Sequence, residues 1–404
     1  MRNIRIIIVL LVTAVTVPAA ARAQAPPMGP QLPISQEPFQ QFAPAVGFDS
    51  ANNFVAVWVS RDRDGSGDGI FGRRFDSAGE GRGAEFQVNT STAGDQTGAD
   101  LAVDPSGSFV VVWQKDGTTE SAILARRYGS AGNPIGSEIE VAFAGITPRV
   151  AIDAAGALVV VWAVHANPMG NAGLDVYARR YDANGVPQGA GFLVNTATDF
   201  DQFQPSVAMS PSGAFVVSWA DLNFSIPHFR IFARSYDGSG KSRGSQFPVD
   251  TDSPLDQGNP DVAAGDFVVV WATDTIVGQR FDDVGNPQGP RFPISTQTVA
   301  FEPSVGADAD GNFTVAWVGE GSVPTGIYAR HYFATGAPTG ADFLVAPESS
   351  GLRFPQVAMN DGRFVVAWED SAALYARIGF PPTPREGPSV VPDSRAPRIV
   401  PPRP

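Results

Sequence analysis

The sequence predicts an all-β fold, a seven-bladed β-propeller of four-stranded antiparallel blades, and two observations support it. Each tryptophan of the chain closes a five-residue apolar run, such as FVAVW at 54–58 and FVVVW at 109–113. The runs recur every 46 to 57 residues, and four strand-like segments with Asp/Gly turns fill each interval. A β-sandwich with accidental spacing is the alternative. The seven tryptophans are Trp58, Trp113, Trp162, Trp219, Trp271, Trp317 and Trp368.

The apolar runs are typical of strands that are buried on both faces. They are short, rich in Val and Phe, and apolar at every position. A strand inside a propeller blade is in this situation because neighbouring blades cover both of its faces. The third repeat shows all four predicted strands, at 149–152, 158–162, 176–181 and 192–195.

Small residues recur in the first strand of every repeat. The third residue after the usual proline is always Gly or Ala, and Ala99 replaces that proline in the second repeat. Because innermost strands crowd around a propeller axis, the pattern predicts close approach between blades at this level. The positions are Gly47, Ala102, Ala151, Ala208, Ala263, Gly306 and Ala358.

The two ends of the repeat array predict how the ring closes. The seventh repeat has no fourth strand after Arg377, whereas GPQLPIS at 29–35 resembles the fourth-strand segment GPRFPIS at 289–295. An unpaired edge strand invites aggregation. We therefore expect an N-terminal strand, 32–35, to complete the last blade beside 374–377.

The repeat motifs resemble those of a family of exported bacterial repeat proteins. The resemblance covers residues 30–379 and is carried by ILARRY at 123–128, EFQVNT at 85–90 and FLVNT at 192–196. It implies propeller or adhesin-like modules of cell-surface proteins and brings no established activity. Gln279 departs from the pattern, since it stands where the other repeats have an arginine.

Composition narrows the classes of partner. A net charge of −13 excludes the basic footprint that nucleic acid requires, and the absence of cysteine excludes disulfides and thiolate chemistry. Residues 1–23 have the basic, apolar and small-residue regions of a signal peptide. The apolar run is too short to span a bilayer, so we expect a secreted, periplasmic or cell-surface monomer.

The predicted domain organisation has three parts. The signal peptide at 1–23 precedes the propeller at 24–379, and a Pro/Arg-rich tail follows at 380–404. Proline at that density prevents both helix and sheet ladder. The tail is therefore either a disordered end or a tether to an anionic envelope or a partner domain.

Arginine recurs in the third strand of six repeats. An anion-binding ring is one interpretation. A feature present in nearly every blade is better explained by a structural task, such as pairing with an acidic side chain or a carbonyl of the next blade. Function is then expected where the repeats differ. These arginines are Arg73, Arg126, Arg179, Arg234, Arg330 and Arg377.

The repeats differ most in the loops between their second and third strands, which share one face of a propeller with the connections between blades. We expect this variable-loop face to bind ligand. Histidines and aromatics there give a candidate platform for a sugar or a peptide, and the two histidines could also belong to a zinc site with Asp175 or Asp221. The candidate ligand-binding residues are His165, Asn167, Phe200, Phe224, His228 and Phe229.

One loop resembles the start of a calcium-binding loop. Asp62, Asp64, Ser66 and Asp68 present oxygen ligands at alternate positions, with glycines that permit a tight turn. The loop lacks the bidentate glutamate of an EF-hand, so a solvated hairpin tip is the alternative. Calcium is the one cofactor that the sequence suggests.

No catalytic motif is recognisable, although Glu320 and Glu369 could face the axis in neighbouring blades. The sequence therefore favours a non-catalytic binding or scaffolding propeller that presents its variable-loop face to a carbohydrate or protein. A hydrolase or lyase acting on extracellular polysaccharide from the same face is the alternative.

Overall fold

A computed structural model describes residues 28–117, 121–165, 173–222, 228–251, 253–264, 267–321, 324–347, 351–371 and 373–381. Seven four-stranded antiparallel sheets form the predicted seven-bladed propeller. The described segments contain no helix, and hence none that could cross a membrane. The predicted signal peptide and nearly all of the predicted tail lie outside the described residues.

The innermost strand of each blade lies at the central channel and is followed by the second strand, which carries the tryptophan. The innermost strands are β2 (Gln41–Phe48), β6 (Gln96–Val103), β10 (Ile146–Ile152), β14 (Asp201–Met209), β18 (Gly258–Ala263), β22 (Val299–Ala307) and β26 (Leu352–Asn360). The second strands are β3 (Phe54–Arg61), β7 (Phe109–Lys115), β11 (Leu158–His165), β15 (Phe215–Leu222), β19 (Val268–Ala272), β23 (Phe313–Glu320) and β27 (Arg363–Asp370).

The third and outer strands complete each blade. The third strands are β4 (Asp68–Phe75), β8 (Ala122–Tyr128), β12 (Leu174–Tyr181), β16 (Phe229–Tyr236), β20 (Ile276–Arg280), β24 (Gly326–Tyr332) and β28 (Ala373–Gly379). The outer strands are β5 (Phe86–Gln87), β9 (Pro134–Ala142), β13 (Phe192–Leu193), β17 (Phe247–Pro248), β21 (Phe292–Pro293), β25 (Phe343–Pro347) and, in the last blade, β1 (Leu32–Pro33).

The outer strand of the third blade is shorter than the sequence predicts. β13 pairs for only two residues, Phe192 and Leu193, although Val194 still donates its N–H to the carbonyl of Val176. The side-chain oxygen of Asn195 then accepts the N–H of Val176 at 2.8 Å. A side chain therefore replaces the backbone partner at the end of the ladder.

The core lies between the blades, as the apolar runs predict. All seven tryptophans are at most 4% exposed, because each second strand is covered by the blades on both sides. An aromatic pair closes the end of most blades, and Phe109 stacks on Tyr128 with ring centroids 4.7 Å apart.

Neighbouring inner strands approach each other closely at the predicted small positions. A Cβ atom on Gly47 would lie 2.7 Å from Cγ2 of Val103 in the next blade, and one on Gly306 would lie 3.0 Å from the backbone nitrogen of Met359. The larger substituent would force the inner strands apart. The small ring is therefore a requirement of the packing around the axis.

The third-strand arginines join neighbouring blades through backbone carbonyls. Arg126 donates from Nη1 to the carbonyl of Val88 at 2.7 Å, and its guanidinium lies over the Tyr128 ring. Arg179, Arg234, Arg330 and Arg377 make the equivalent bond to the preceding blade. Gln279 donates instead to two carbonyls of its own blade. These bonds confirm a structural role for five of the six repeated arginines.

The N-terminal strand closes the ring as predicted. Leu32 pairs with Ala376 and Pro33 pairs with Tyr375, so β1 is the outer strand of the seventh blade. Ile34 is 1% exposed and belongs to a hydrophobic cluster that also contains Trp58 and Leu374, and so joins the first and last blades. Both ends of the repeat array therefore meet in one sheet.

Removal of residues 24–36 should lower the melting temperature and promote association, because it exposes the edge of β28 and opens the cluster around Ile34. Thermal unfolding and size-exclusion chromatography measure both effects. The control removes residues 382–404 and should do neither. An N-terminal deletion that melts like the full chain would contradict this closure.

Replacing Arg126→Gln should cost about 2 kcal/mol in the free energy of unfolding, since a charge-assisted hydrogen bond between two blades is lost. Chemical denaturation measures the change. Lys241→Gln removes the same charge from an exposed turn and serves as the control. Equal stability of the two variants would show that the arginine does not hold the blades together.

Candidate functional site

Every inner strand carries a bulge near the variable-loop face. The pairing register shifts around the first-strand proline, for instance between Phe42 and Ala45. The residue before that proline, or before Ala99 in the second blade, has a positive φ of 50° to 59°. This conformation costs a non-glycine residue about 1 kcal/mol. The seven positions are Ala43, Gly98, Thr147, Gln204, Asn259, Glu302 and Phe354.

These residues, called here the mouth ring, surround one end of the central channel. In blades three to seven they line a cavity of about 260 Å³, together with the prolines that follow them in blades four to seven. Unlike the arginines, the ring differs from blade to blade. It contains two amides, a carboxylate and a phenyl ring, and the Phe354 side chain is 41% exposed.

Hydrogen bonds between blades satisfy several of the bulged backbone N–H groups. Glu302 Oε2 accepts the N–H of Phe354 at 2.8 Å, and Gln204 Oε1 accepts the N–H of Asn259 at 2.9 Å. Gln114 accepts the N–H of Thr147 in the same way. Each such bond fixes the side chain at the rim of the cavity as well as the backbone.

Two glutamates of the variable-loop face come from neighbouring blades, Glu302 from the sixth and Glu369 from the seventh. Burial raises the pKa of Glu302 and of Glu369, and a weaker repulsion from Glu302 adds to the shift at Glu369. The N–H of Ala43 and the charge of Arg353 oppose the shift at Glu369. Among the described atoms, Oε2 of Glu369 is buried and has no hydrogen-bond partner. Of the two, only Glu302 is among the residues that line the cavity at the mouth ring.

Three further charges meet inside the channel. Arg149 lies in the electrostatic field of both Asp100 and Asp261, and burial raises the pKa of each aspartate. Asp100 accepts the N–H of Val150 at 2.8 Å. Asp261 accepts the N–H of Val305 and the hydroxyl of Ser206, at 2.8 and 2.7 Å. This group forms a polar floor below the mouth ring.

A second cavity, of about 510 Å³, lies at the opposite end of the channel. Aspartates of the first hairpin turns border it, but their carboxylates accept backbone N–H groups of their own turns, as Asp49 does from Ala51 and Asn53. Asp153 does the same with Ala155 and Ala157. These carboxylates therefore hold turns.

The predicted ligand-binding residues lie towards the outer rim of the variable-loop face. His165 is exposed at the end of β11, and Phe200 is 37% exposed before β14. His228 contacts Asp256 at 3.6 Å, and the Phe229 ring packs edge-on against Phe203. Two further candidates, Asn167 and Phe224, lie outside the described residues.

Asp175 and Asp221 serve polar networks of their own blades. Asp175 accepts a bond from Asn195 at 2.6 Å, and Asp221 lies 3.4 Å from the Gln202 amide. Over the described ranges, no group of three His, Asp or Glu side chains could share a metal ion.

The acidic loop at 62–68 uses its carboxylates internally. Asp64 accepts bonds from the Asn89 amide and the Ser66 N–H, and Asp68 pairs with Arg61 at 3.3 Å. Binding of calcium by Asp62, Asp64 and Asp68 would require these contacts to reorganise. It stays a prediction that a calcium titration of the melting temperature tests.

Sequence reasoning named Glu369 and Glu320 as glutamates that could face the axis, but neither is among the residues that line the cavity. It missed the residues at and beside the mouth ring. Glu320 is exposed at the end of β23. The missed residues lie close to the proline of the first strand. They were missed because the strand pattern there identifies only the apolar positions. Their variation between repeats was the available signal. The missed charged residues are Asp100, Arg149, Asp261, Glu302 and Arg353.

Comparison with known proteins finds solved structures of similar fold. No protein-family model and no curated protein matches the chain. Among solved structures, the chain is similar to a protein of unknown function from Dyadobacter fermentans, with a TM-score of 0.52, 12% identity and coverage of 87% and 98% of the two chains. It is also similar to the polysaccharide lyase Uly1, with a TM-score of 0.53, 10% identity and coverage of 87% and 99%.

A third similar structure is the GH93 α-L-arabinofuranosidase of Fusarium graminearum, in complex with arabinobiose. Its TM-score is 0.50, its identity 9%, and the alignment covers 87% of this chain and 97% of that one. At these sequence identities the three similarities support the propeller fold alone. Any argument about function must come from the residues of the site.

Asp221→Asn should raise the melting temperature at pH 7.5 and have little effect near pH 4. Burial raises the pKa of Asp221 to about 6, so the folded state resists ionisation. Stability therefore falls as pH rises from the unfolded pKa through about 6, and the amide avoids that loss. Asp310→Asn, on an exposed turn, is the control. A pH-independent gain would refute this explanation.

Proposed function

We propose that this protein is a non-catalytic carbohydrate-binding propeller that holds its ligand at the mouth ring. The observation that carries the proposal is the variation of the ring. A strained backbone position is repeated in all seven blades, yet its side chains change and line a cavity in blades three to seven. Backbone strain at positions that surround a cavity, with side chains that differ from blade to blade, is typical of a binding site.

The chemistry of the ring suits a polyhydroxylated ligand. Gln204, Asn259 and Glu302 offer amide and carboxylate groups that exchange hydrogen bonds with sugar hydroxyls. Phe354 presents an exposed phenyl ring on which a pyranose face can pack. Phe200 and His165 extend the same face outward and give a longer glycan further contacts.

The similar solved propellers are consistent with this proposal, since one is a polysaccharide lyase and another was solved with arabinobiose. The resemblance of the repeats to exported bacterial proteins also favours a ligand met outside the cytoplasm. We accordingly propose that the protein acts in the periplasm, at the cell surface or in the medium.

A polysaccharide hydrolase or lyase is the second candidate function. Its support is that burial raises the pKa of two glutamates on this face, Glu302 in the mouth ring and Glu369 near the end of β27. Glycosidases use one protonated and one ionised carboxyl group. Product release by the purified protein, lost in Glu369→Gln, would establish this candidate in place of the first.

Phe354→Gly should abolish retention of glycans without lowering stability. The variant removes the exposed ring, while glycine relieves the positive φ, as Gly98 already does in the second blade. A glycan and polysaccharide panel, with retention and product release both recorded, identifies the ligand, and thermal unfolding reports stability.

Phe380→Gly is the matched control, because Phe380 is also 41% exposed but follows β28 on the opposite face. Retention should survive in this variant. Equal retention by the Phe354→Gly variant and the native protein would place the ligand elsewhere, and no retention by the native protein would refute carbohydrate binding.

A further inference from the structure

We propose that a cavity between the fourth and fifth blades binds a small carboxylate with an apolar body, and that Arg243 receives the carboxylate group. The cavity, called here the Ser235 cavity, has a volume of about 200 Å³ and lies at the face opposite the mouth ring. The proposal is independent of the carbohydrate site. It follows from a serine that replaces an arginine of the repeat, from the cavity beside that serine and from the unused donors of Arg243.

A second arginine directly follows the first position of the third-strand pair in four blades, and it joins each of these blades to the next. It donates to a backbone carbonyl of the turn between the third and outer strands of the following blade, as Arg74 does to Ser130 at 2.8 Å. A Cβ atom on Gly132 of that turn would lie only 2.6 Å from Nε of Arg74. The fourth blade has Ser235 at this position. The four arginines are Arg74, Arg127, Arg180 and Arg280.

The cavity beside Ser235 is nearly closed where the arginine is present. Between the first and second blades, where Arg74 stands, the equivalent cavity has a volume of about 10 Å³. The turn glycine of the fifth blade, Gly285, lies against Phe247 and not against an arginine. The Ser235 cavity therefore occupies the space that an arginine side chain fills in other blades. The lining positions that the two cavities share are, in the fourth and fifth blades, Phe215, Val216, Ser235, Tyr236, Arg243 and Asp283.

The walls of the Ser235 cavity are mostly apolar. The rings of Phe215 and Phe267 line it, and both residues are buried. Ser235 is 4% exposed, and its hydroxyl makes no hydrogen bond within the described part of the chain. Ser212 also lines the cavity and is exposed, so the cavity opens to solvent. A ligand with an apolar body can therefore bury its surface there and bond to the Ser235 hydroxyl.

Arg243 supplies hydrogen-bond donors to the same cavity. Its Nη1 atom contacts the Asp283 carboxylate and lies 3.4 Å from the Asp283 carbonyl. It thus replaces the contact that Ser235 cannot make with the next blade. Its Nε and Nη2 atoms have no hydrogen-bond partner among the described residues. Because a guanidinium binds a carboxylate through two parallel hydrogen bonds, these two atoms can receive a ligand carboxylate.

The balance of exposure favours an anionic ligand over a cationic one. The Arg243 side chain is 27% exposed, whereas that of Asp283 is 71% exposed. Solvent therefore screens the aspartate more strongly than the arginine. Asp237 also acts on Arg243, but its Oδ1 atom accepts N–H groups of its own turn. The net charge of −13 acts from longer distances, and salt screens it beyond about 8 Å at physiological ionic strength.

The test uses two apolar bodies, each with a charged and a neutral head group. Calorimetry near neutral pH and at physiological salt compares phenylacetate with phenylacetamide, and 4-methylpentanoate with 4-methylpentanamide. We expect at least one carboxylate to bind at least about tenfold more tightly than its amide, the effect of a charge-assisted pair with Arg243. Phenethylammonium, which has a similar body and a positive charge, should bind most weakly.

Ser235→Arg restores the arginine of the repeat and should abolish binding, because the new side chain fills the cavity. Arg74 and Arg82 show that two arginines fit at these positions in the first blade, so the melting temperature should not fall. Arg243→Gln leaves the cavity open and should remove the advantage of the carboxylate over its amide. Arg82→Gln removes the same charge from the equivalent exposed turn of the first blade, and should leave binding unchanged.

Other outcomes overturn the proposal. Carboxylate binding that survives in Ser235→Arg places the ligand elsewhere, and equal affinity for carboxylates and amides refutes the role of Arg243. If neither carboxylate binds, the cavity holds only solvent and the proposal is wrong. None of these results bears on glycan retention at the mouth ring, which Phe354→Gly tests separately.

Discussion

The closed packing of seven blades around one axis is the constraint on which the rest of the structure depends. Each blade buries its apolar faces only against its neighbours, so an open ring would leave two such faces in water. The tryptophans lie inside these contacts, and arginines such as Arg126 join one blade to the carbonyls of the previous one. β1 supplies the remaining connection, because it pairs with β28 and places Ile34 between the last and first blades.

Closure of the ring also determines where a ligand-binding site can form. Features that every blade needs are repeated, so the arginines and the small inner residues carry no ligand specificity. Only the backbone conformation of the mouth ring repeats from blade to blade. Its side chains differ, and they line a cavity that exists because the ring closes. Its positive φ angles and the burial of the Glu302 carboxylate both lower stability. The seven interblade contacts offset that cost, and natural binding sites commonly combine strain with a stable scaffold.

The sequence predicts the fold more completely than the site, for physical reasons. Tryptophan spacing and apolar runs report burial, which is periodic, and the unmatched end of the seventh repeat revealed β1. The mouth depends on residues such as Arg149 and Asp261, from blades three and five, that meet only when the ring closes. Arg149 and Asp261 are more than a hundred positions apart in the sequence. No local pattern can therefore predict that they line the same cavity. Glu369 was expected to face the axis, but the cavity beside the mouth ring is lined by residues of the innermost strands.

A designed disulfide tests closure most directly, since the native chain contains no cysteine. Pro33→Cys combined with Tyr375→Cys joins residues that face each other across β1 and β28, at a separation that a disulfide can bridge. Oxidation followed by peptide mass spectrometry should show a single intramolecular link in a monomer, and none when Pro33→Cys is combined with Asp310→Cys. A linked dimer, or two free thiols in the first pair, would contradict the closed ring and the mouth that depends on it.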